Sequence, residues 1–366
     1  MIEGSGLIKP DLKMAEAAVY GGALLGGGGG GWVKDGLEMA RLALEVGDPF
    51  IVGVEELPED ATVVTVSLIG APAAPERYLK PIHYVRAVEL LMRGAGIRVD
   101  GLITSENGAA ATVNGWFQSA ALGMPVVDAP CNGRAHPTGL MGSIGLTNVK
   151  GYVSVQAGAG GNPEAGRYVE ILVKGPLEKA ASLIRQASVS AGGLIGVARN
   201  PVSASYLREN GAVGAIGMAI RVGRALLDNK TSGPKSMIEA AMEELGGSVV
   251  AEGVVEKVGI ETAGGFDIGT VLIKADGKEY ELTFWNEYMT MEEGGERIAT
   301  FPDLIATMSL DTGFPIITAE IREGQRVALV KVPKSKLILG AGMRDQKLFK
   351  QVEEVTKKEI ITYVFG

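Results

Sequence analysis

The first two thirds of the chain alternate between helix-like and strand-like hydrophobic patterns. Strand-like apolar runs occupy residues 50–54, 62–69, 101–104, 124–128, 151–155 and 169–173. Apolar positions at helical spacing occupy residues 11–25, 33–46, 81–94, 109–123, 177–187 and 213–227. Because strands and helices alternate with short links, the pattern predicts an α/β fold with a mostly parallel sheet and flanking helices over residues 1–245.

From about Gly246 onward the pattern changes to the two-residue period of β-strands. The predicted strands are 249–258, 270–275, 279–284, 316–321 and 326–332, and Asp276-Gly277 has the composition of a tight hairpin turn. The pattern predicts a smaller all-β domain, a barrel or sandwich, over residues 246–338. Residues 339–366 follow with a helix at 346–357 and a strand at 360–365, and we consider that this segment packs back on the α/β domain.

Length and charge indicate the number of domains and disfavour some classes of binding partner. The chain has 366 residues and a net charge of −8, which favours about two domains and disfavours nucleic acid or an anionic membrane as a partner. No apolar run reaches the length of a membrane span, and the first residues lack the parts of a signal peptide, so we expect a cytoplasmic protein. A small-molecule substrate is the expected partner, and a homo-oligomer is compatible with the sequence.

One loop concentrates chemically capable side chains. Residues 126–142 follow a short apolar strand and contain the one cysteine, Cys131, together with His136 and Arg134. Prolines and glycines exclude regular structure there, so the polar groups emerge where the strand ends, at the edge where α/β proteins bind ligands. We therefore predict an active-site loop. The alternative is an ordinary loop in which Asp128 pairs with Arg134 and Cys131 packs as a small apolar residue.

Two other loops are predicted to reach the same edge. If the strands ending at residues 104 and 128 are parallel, Glu106 and Asn107 emerge beside the cysteine loop, which makes Glu106 a candidate catalytic group. Asn132, inside the loop itself, is a candidate for substrate binding. Glu76 and Asn162 follow two further strands and are second-rank candidates, because such residues are more often solvated.

The chain contains 53 glycines, and the densest group is the run 26–31 between two predicted helices. A glycine run before a helix exposes backbone N–H groups to an anion or a carbonyl oxygen, so Gly28, Gly29 and Gly30 are candidate substrate-binding residues. A helix rather than a strand precedes the run, which departs from the dinucleotide-binding pattern. A tightly packed corner between helices is the alternative.

Two acidic residues in the β-rich region lie beside large apolar residues. Glu287 follows Trp285-Asn, and Asp303 follows Phe301-Pro. A carboxylate in such a setting can have the raised pKa that acid–base catalysis needs. The alternative is that these side chains cap turns.

A set of motifs runs in order along nearly the whole chain. They are the glycine segment 21–31, Gly70-Ala-Pro72, Glu106-Asn-Gly108 with Asn114, the loop 128–137, Asn286-Glu287, Pro302-Asp303-Leu-Ile and Asp311-Thr-Gly-Phe-Pro315. Together these motifs resemble the S-methyl thiohydantoin desulfurase family. The resemblance implies an α/β domain with a smaller β-barrel domain, and hydrolysis at the carbon of a five-membered cyclic amide or thioimidate. The loop departs from the common form of the family at Pro130, Cys131, His136 and Thr138, which leaves the substrate open.

Two mechanisms are compatible with the loop. In the first, Cys131 attacks the ring carbon as a thiolate, His136 transfers protons, Glu106 or Asp128 orients the histidine, and Arg134 with the glycine amides stabilises the oxyanion. In the second, Cys131, His136 and Asp128 hold zinc, which activates a water molecule. Both predict that Cys131→Ala abolishes turnover.

Two other functional classes stay open. A non-catalytic protein could use the same loop and the glycine run to bind a small anionic metabolite, and it would gain stability from the ligand without forming product. An oxidoreductase could use the glycines as a nucleotide site, which a cofactor titration would test.

Overall fold

The computed structural model describes residues 6–70, 74–263 and 266–366. The helices are α1 Leu12–Leu25, α2 Val33–Val46, α3 Pro81–Ala95, α4 Trp116–Leu122, α5 Leu177–Ser190, α6 Ala204–Asn210, α7 Ala215–Asp228, α8 Pro234–Leu245, α9 Gln346–Thr356 and α10 Ile361–Phe365. Residues 1–5, on which the expectation about a signal peptide partly rests, lie outside the described residues. So do Ala71 and Pro72 of the Gly70-Ala-Pro72 motif.

The strands form two separate sheets. Those of the first are β1 Ile51–Val52, β2 Thr62–Gly70, β3 Gly101–Thr104, β4 Val126–Val127, β5 Ser154–Gly160, β6 Val169–Gly175 and β7 Leu194–Ser203. Those of the second are β8 Ser248–Ala263, β9 Phe266–Ala275, β10 Lys278–Trp285, β11 Glu287–Glu293, β12 Glu296–Thr300, β13 Leu304–Ser309, β14 Pro315–Ile316 and β15 Arg326–Val332.

The first sheet is mixed, which corrects the prediction of a mostly parallel sheet. Its strand order is β1-β4-β3-β2-β7-β5-β6. The first four strands are parallel, whereas β7 pairs antiparallel with both β2 and β5, and β5 forms an antiparallel hairpin with β6. The sheet therefore combines a parallel half, whose carboxyl ends carry the loops after β3 and β4, with an antiparallel half that ends in β6.

Helix α1 leads into the glycine run and is held by close contact with α7. A Cβ atom added at Gly21 would collide with the Ala219 carbonyl, and one at Gly223 would collide with the Ala17 carbonyl. Glycine at these two positions lets the helix backbones touch, and buried Ala17, Ala18, Ile216 and Ile220 complete the contact. This packing fixes the point at which the glycine run leaves α1.

The second sheet is antiparallel, with strand order β12-β11-β10-β9-β8-β15-β13-β14. Asp276 and Gly277 both have positive φ, 50° and 75°, so the predicted hairpin turn between β9 and β10 is confirmed. In the described residues the edge strands β12 and β14 do not pair with each other, so the sheet is open and the predicted barrel closure is not seen. Helices α7 and α8 pack on β13 and β15 through residues such as Leu226, Met242 and Val330.

Two predicted strands have other structures. The predicted strand 360–365 is instead the short helix α10, which begins at Ile361. Of the predicted strand 316–321, only Ile316 belongs to a strand, β14. Thr318 then turns toward the glycine run, where its N–H donates to the Gly28 carbonyl at 2.9 Å. This contact ties the second sheet to the loop after α1.

The C-terminal segment packs chiefly on the second sheet. Phe349, Val352 and Ile360 join a buried cluster with Trp285 and Phe301. The segment also contacts the α/β region: Met141 joins this cluster, the Gly340 N–H donates to Asn132, and the Asp345 carboxylate accepts hydrogen bonds from the loop before β5. None of the helices in the described ranges is long and apolar enough to cross a membrane.

Candidate active site

A cavity of about 230 Å³ lies where the loops of the first sheet meet the second sheet. Polar side chains from both parts line it, among them Glu106, His136, Arg185, Arg199, Glu287 and Thr318. Its size suits a small molecule, since ligand sites are typically concave spaces of a few hundred Å³.

Glu106 lies just beyond β3, and its side chain is 14% exposed. Its Oε2 atom accepts a hydrogen bond from the backbone N–H of His136 at 3.2 Å. Burial raises the pKa of Glu106 to about 7, against the opposing effects of the His136 N–H and of the Arg199 and Arg134 charges. A carboxyl group with this pKa can both accept and release a proton near neutral pH.

His136 lies beside Glu106, as the sequence predicted. Its Nε2 atom is 3.3 Å from Glu106 Oε2 and 3.3 Å from the Ser105 carbonyl oxygen. Burial lowers the pKa of His136 to about 4, so the imidazole is neutral near pH 7. The Nδ1 atom is buried and has no hydrogen-bond partner among the described residues.

Glu287 provides a second carboxyl group from the other sheet. It starts β11 after Asn286, whose φ is 57°, and its side chain is only 2% exposed. Burial first, and the nearby charge of Glu106 second, raise the pKa of Glu287 well above the ordinary value of 4.5. Its Oε2 atom has no partner within the described part of the chain. The cavity therefore holds two neighbouring carboxyl groups, Glu106 and Glu287, and the pair retains one proton near neutral pH.

The glycine run forms the wall between these groups. Gly28, Gly29 and Gly30, the candidate substrate-binding glycines of the sequence, line the cavity. Gly28 and Gly30 have φ values of 98° and 79°, which favour glycine. A Cβ added at Gly29 would collide with the Glu287 carboxylate, and one at Gly30 would collide with the Gly108 backbone. The loop can hold this path only without side chains.

Arg134 does not line the cavity, which corrects its predicted role in oxyanion binding. The guanidinium is fully buried, donates to the carbonyl oxygens of Pro302 and Asp303, and lies 4.6 Å from the Phe301 ring centre. Burial lowers its pKa to about 10, opposed by the charge of Glu287. Arg134 therefore joins the loop to the second sheet from behind the site.

Cys131 is likewise outside the cavity. Its side chain is fully buried in an apolar cluster, and Sγ lies 3.3 Å from the Thr65 hydroxyl oxygen. Burial raises the pKa of the thiol to about 11, so it is protonated near neutral pH. The structure thus supports the alternative of a small packed residue over the thiolate nucleophile.

Asp128 is also engaged elsewhere. Its two carboxylate oxygens accept hydrogen bonds from the backbone N–H groups of Ile216 and Gly217 at 2.7 and 3.0 Å, at the start of α7. Burial raises its pKa to about 6. In the ranges that the structure describes, no three His, Cys, Asp or Glu side chains converge as a metal site, so Cys131, His136 and Asp128 do not form the proposed zinc set.

The predicted asparagines hold the loops rather than a ligand. Asn107 donates to the carbonyl oxygens of Gly133 and Ala215 at 3.2 and 2.7 Å. Asn132 donates to the Arg134 carbonyl oxygen at 2.9 Å and accepts from the Gly340 N–H at 3.1 Å. Both side chains are fully buried and position the segments that carry Glu106 and His136.

The second-rank candidates lie away from the cavity. The side chain of Asn162 caps a turn by accepting from the Glu164 N–H at 3.0 Å. Glu76 pairs with Arg167 at the surface, and Asp303 accepts from the Lys334 N–H at 2.7 Å. Of the two acidic residues singled out in the β-rich region, only Glu287 reaches the cavity.

Arg199 and Arg185 line the cavity and were not predicted from the sequence. Arg199 lies within β7, between β2 and β5, where it pairs with Thr65 and Gln156. The signal available in the sequence is a single charge inside the apolar run Leu194-Ile-Gly-Val-Ala-Arg199. A charged side chain in a buried strand costs free energy unless a partner satisfies it, so such a residue is a candidate for a functional site.

Comparison with known proteins identifies the family. The profile of the S-Me-THD-like N-terminal domain matches residues 13–167, and that of the S-Me-THD-like C-terminal domain matches residues 176–341. The chain belongs to the S-methyl thiohydantoin desulfurase-like family. This confirms the resemblance found in the sequence motifs.

The fold recurs in a solved structure. A crystal structure of a protein from Chromobacterium violaceum matches with a TM-score of 0.70 at 21% sequence identity, covering 95% of this chain and 97% of that chain. At this identity the likeness shows a shared fold. No curated protein matches the chain.

Within this family member, Gly29→Ala tests the closeness of the glycine run to Glu287. The added methyl group would collide with the Glu287 carboxylate and displace it. We expect any turnover that depends on Glu287 to fall at least about tenfold, because small displacements of a reacting group are costly. Gly175→Ala is the matched control, since a Cβ there meets no atom within 4 Å. Equal activity of the two variants in a steady-state assay would show that the position of Glu287 is unimportant.

Proposed function

We propose that the protein is a hydrolase of a small five-membered cyclic amide or thioimidate, such as a hydantoin-like or S-methyl thiohydantoin-like ring. The observation that carries this proposal is the pair of buried carboxyl groups, Glu106 and Glu287, in one small cavity with raised pKa values. Membership of a desulfurase-like family supports the same chemistry.

The two carboxyl groups suit the two proton transfers of hydrolysis. Glu106, the group whose pKa lies near 7, takes a proton from water as the water oxygen bonds to the ring carbon. Glu287, which burial keeps protonated, gives its proton to the leaving sulfur or nitrogen as the bond to carbon breaks. Proton exchange between the carboxyl groups then restores the starting state.

His136 acts as a neutral positioning group in this scheme. Its backbone N–H fixes one oxygen of Glu106, and its ring lies against the same oxygen. A Cβ added at Gly142 would be 2.6 Å from the imidazole Cε1, so the loop backbone also fixes the ring plane. The Nδ1 atom, without a partner in the described residues, is available to the ring substrate.

A substrate panel tests the proposal. Purified protein is incubated with hydantoins, thiohydantoins, S-methyl thiohydantoins and lactams, with ring absorbance and released thiol as readouts. We expect hydrolysis of at least one ring class. A compound that raises the melting temperature while no member of the panel gives product would instead indicate a non-catalytic metabolite-binding protein.

A further inference from the structure

Arg199 lies at the centre of the first sheet and reaches the cavity. Its side chain is only 4% exposed, and β2 and β5 flank its strand on both sides. Gly139, in the loop that carries His136, allows a close approach, because a Cβ there would be 3.1 Å from Arg199 Nη1. The guanidinium is thus confined between the sheet and the active-site loop.

The protein leaves this cation incompletely satisfied. The Nε atom of Arg199 has no hydrogen-bond partner among the described residues, and neither does the Oε1 atom of Gln156, its neighbour across the strands. Arg185, from α5, adds a second positive charge that lowers the Arg199 pKa beyond the effect of burial. A buried cation is costly without an anionic or hydrogen-bonding partner, so the arrangement favours a ligand that brings negative charge.

The charges around Arg199 indicate where that negative charge belongs. Cys131 first and Glu106 second oppose the lowering of the Arg199 pKa by burial. The Cys131 thiol is protonated near neutral pH, and Glu106 uses its Oε2 atom to accept from His136. Arg134 lies behind the glycine run and does not line the cavity. Arg199 is therefore the buried guanidinium that a bound ring can meet in the cavity that Glu106 also lines.

We propose that Arg199 is a catalytic residue that binds the ring atom on which negative charge develops when water adds. This rests on the proposed hydrolase function. As the water oxygen bonds to the ring carbon, the electron pair of the C=O or C=N bond moves to that oxygen or nitrogen, beside the guanidinium. When the bond to the leaving sulfur or nitrogen breaks, the pair returns to carbon and the Glu287 proton goes to the leaving atom. Stabilisation of developing charge in this way usually contributes more to the rate of such reactions than any other single effect.

The kinetic test uses Arg199→Ala and Arg199→Lys on the full chain. We expect the alanine variant to lose about 10²–10³-fold in kcat with a smaller change in KM. Added guanidinium chloride at low millimolar concentration should restore part of the rate, whereas sodium chloride should not. Arg208→Met is the matched control, because Arg208 is a partly buried arginine that contacts Val54 and Leu57 carbonyl oxygens away from the cavity.

Two results would overturn the role of Arg199 as a catalytic residue. One is a rate for Arg199→Ala within threefold of wild type. The other is a slow, folded variant whose rate guanidinium does not restore. If Arg199→Ala fails to fold, the rate of Arg199→Lys is the test. Lysine keeps the positive charge but lacks the planar guanidinium, so a wild-type rate in this variant would contradict the proposal.

A binding measurement separates this proposal from the hydrolase proposal. Acetate, a planar monoanion, is titrated while tryptophan fluorescence is followed, since Trp32 lines the cavity. We expect acetate to bind wild type and Arg208→Met and to lose at least tenfold in affinity for Arg199→Ala. Failure of the whole substrate panel would reject the hydrolase while leaving Arg199-dependent acetate binding intact. Acetate binding that is unchanged in Arg199→Ala, or absent from wild type, would reject the anion site itself.

Discussion

Glu106→Gln is expected to lower kcat/KM by about 10²–10⁴-fold, the range for loss of a general base. The amide can still accept the His136 N–H hydrogen bond through its oxygen, so the fold should persist while proton acceptance is lost. In wild type, kcat/KM should rise with pH through about 7, where Glu106 loses its proton. The variant should not show that rise. Steady-state kinetics across the pH range measure both effects.

Glu76→Gln is the matched control for this variant. Glu76 pairs with Arg167 at the surface and does not line the cavity, so its variant should keep the wild-type rate and pH profile. If Glu106→Gln kept a rate within tenfold of wild type and the same pH profile, Glu106 would not be the base. Melting temperatures of both variants guard against a loss that comes from unfolding.

Glu287→Gln is expected to lose at least about 10²-fold in kcat while becoming more stable at neutral pH. The folded pKa of Glu287 lies above its ordinary value of 4.5, so its contribution to stability is complete below about 4.5 and is lost as pH rises toward the folded pKa. Glutamine is neutral at every pH and does not have this loss. The two proteins should therefore have similar stability near pH 4, with the variant more stable at pH 8.

Denaturant unfolding at the two pH values measures the stability part of this prediction. A variant that is less stable than wild type at pH 8 would show that Glu287 is ionised and satisfied in the folded protein. A variant with unchanged kcat would show that Glu287 is not the acid. Active-site residues commonly lower the stability of the folded protein while they support activity. Unfolding and kinetic measurements on Glu287→Gln separate these two effects at one residue.

The sequence predicted most elements of the first sheet but not its pairing. Periodic apolar positions set the bounds of α1, α2, α3 and β2 to within a residue or two. Strand β7 was missed, since an apolar run such as Leu194 to Val197 has no alternation that separates strand from helix. Its insertion between β2 and β5 makes the sheet mixed, and such long-range pairing leaves no local pattern.

The same limits apply to the site. Glu106 and His136 could be placed together because the carboxyl ends of parallel strands share an edge, and the structure brings them to 3.3 Å. The contacts of Cys131 and Asp128 could not be predicted, because their partners Thr65 and Ile216 lie 66 and 88 positions away in the sequence. Residue type alone does not separate a buried thiol from a reactive one.

The most direct test of the account compares Cys131→Ala with Glu106→Gln on the same ring substrates. The thiol is fully buried and does not line the cavity, and its pKa of about 11 leaves it protonated, so Cys131→Ala should hydrolyse the ring at a rate within about threefold of wild type. Glu106→Gln should be nearly inactive under the same conditions. An inactive, folded Cys131→Ala beside an active Glu106→Gln would contradict the assignment of catalysis to the carboxyl pair.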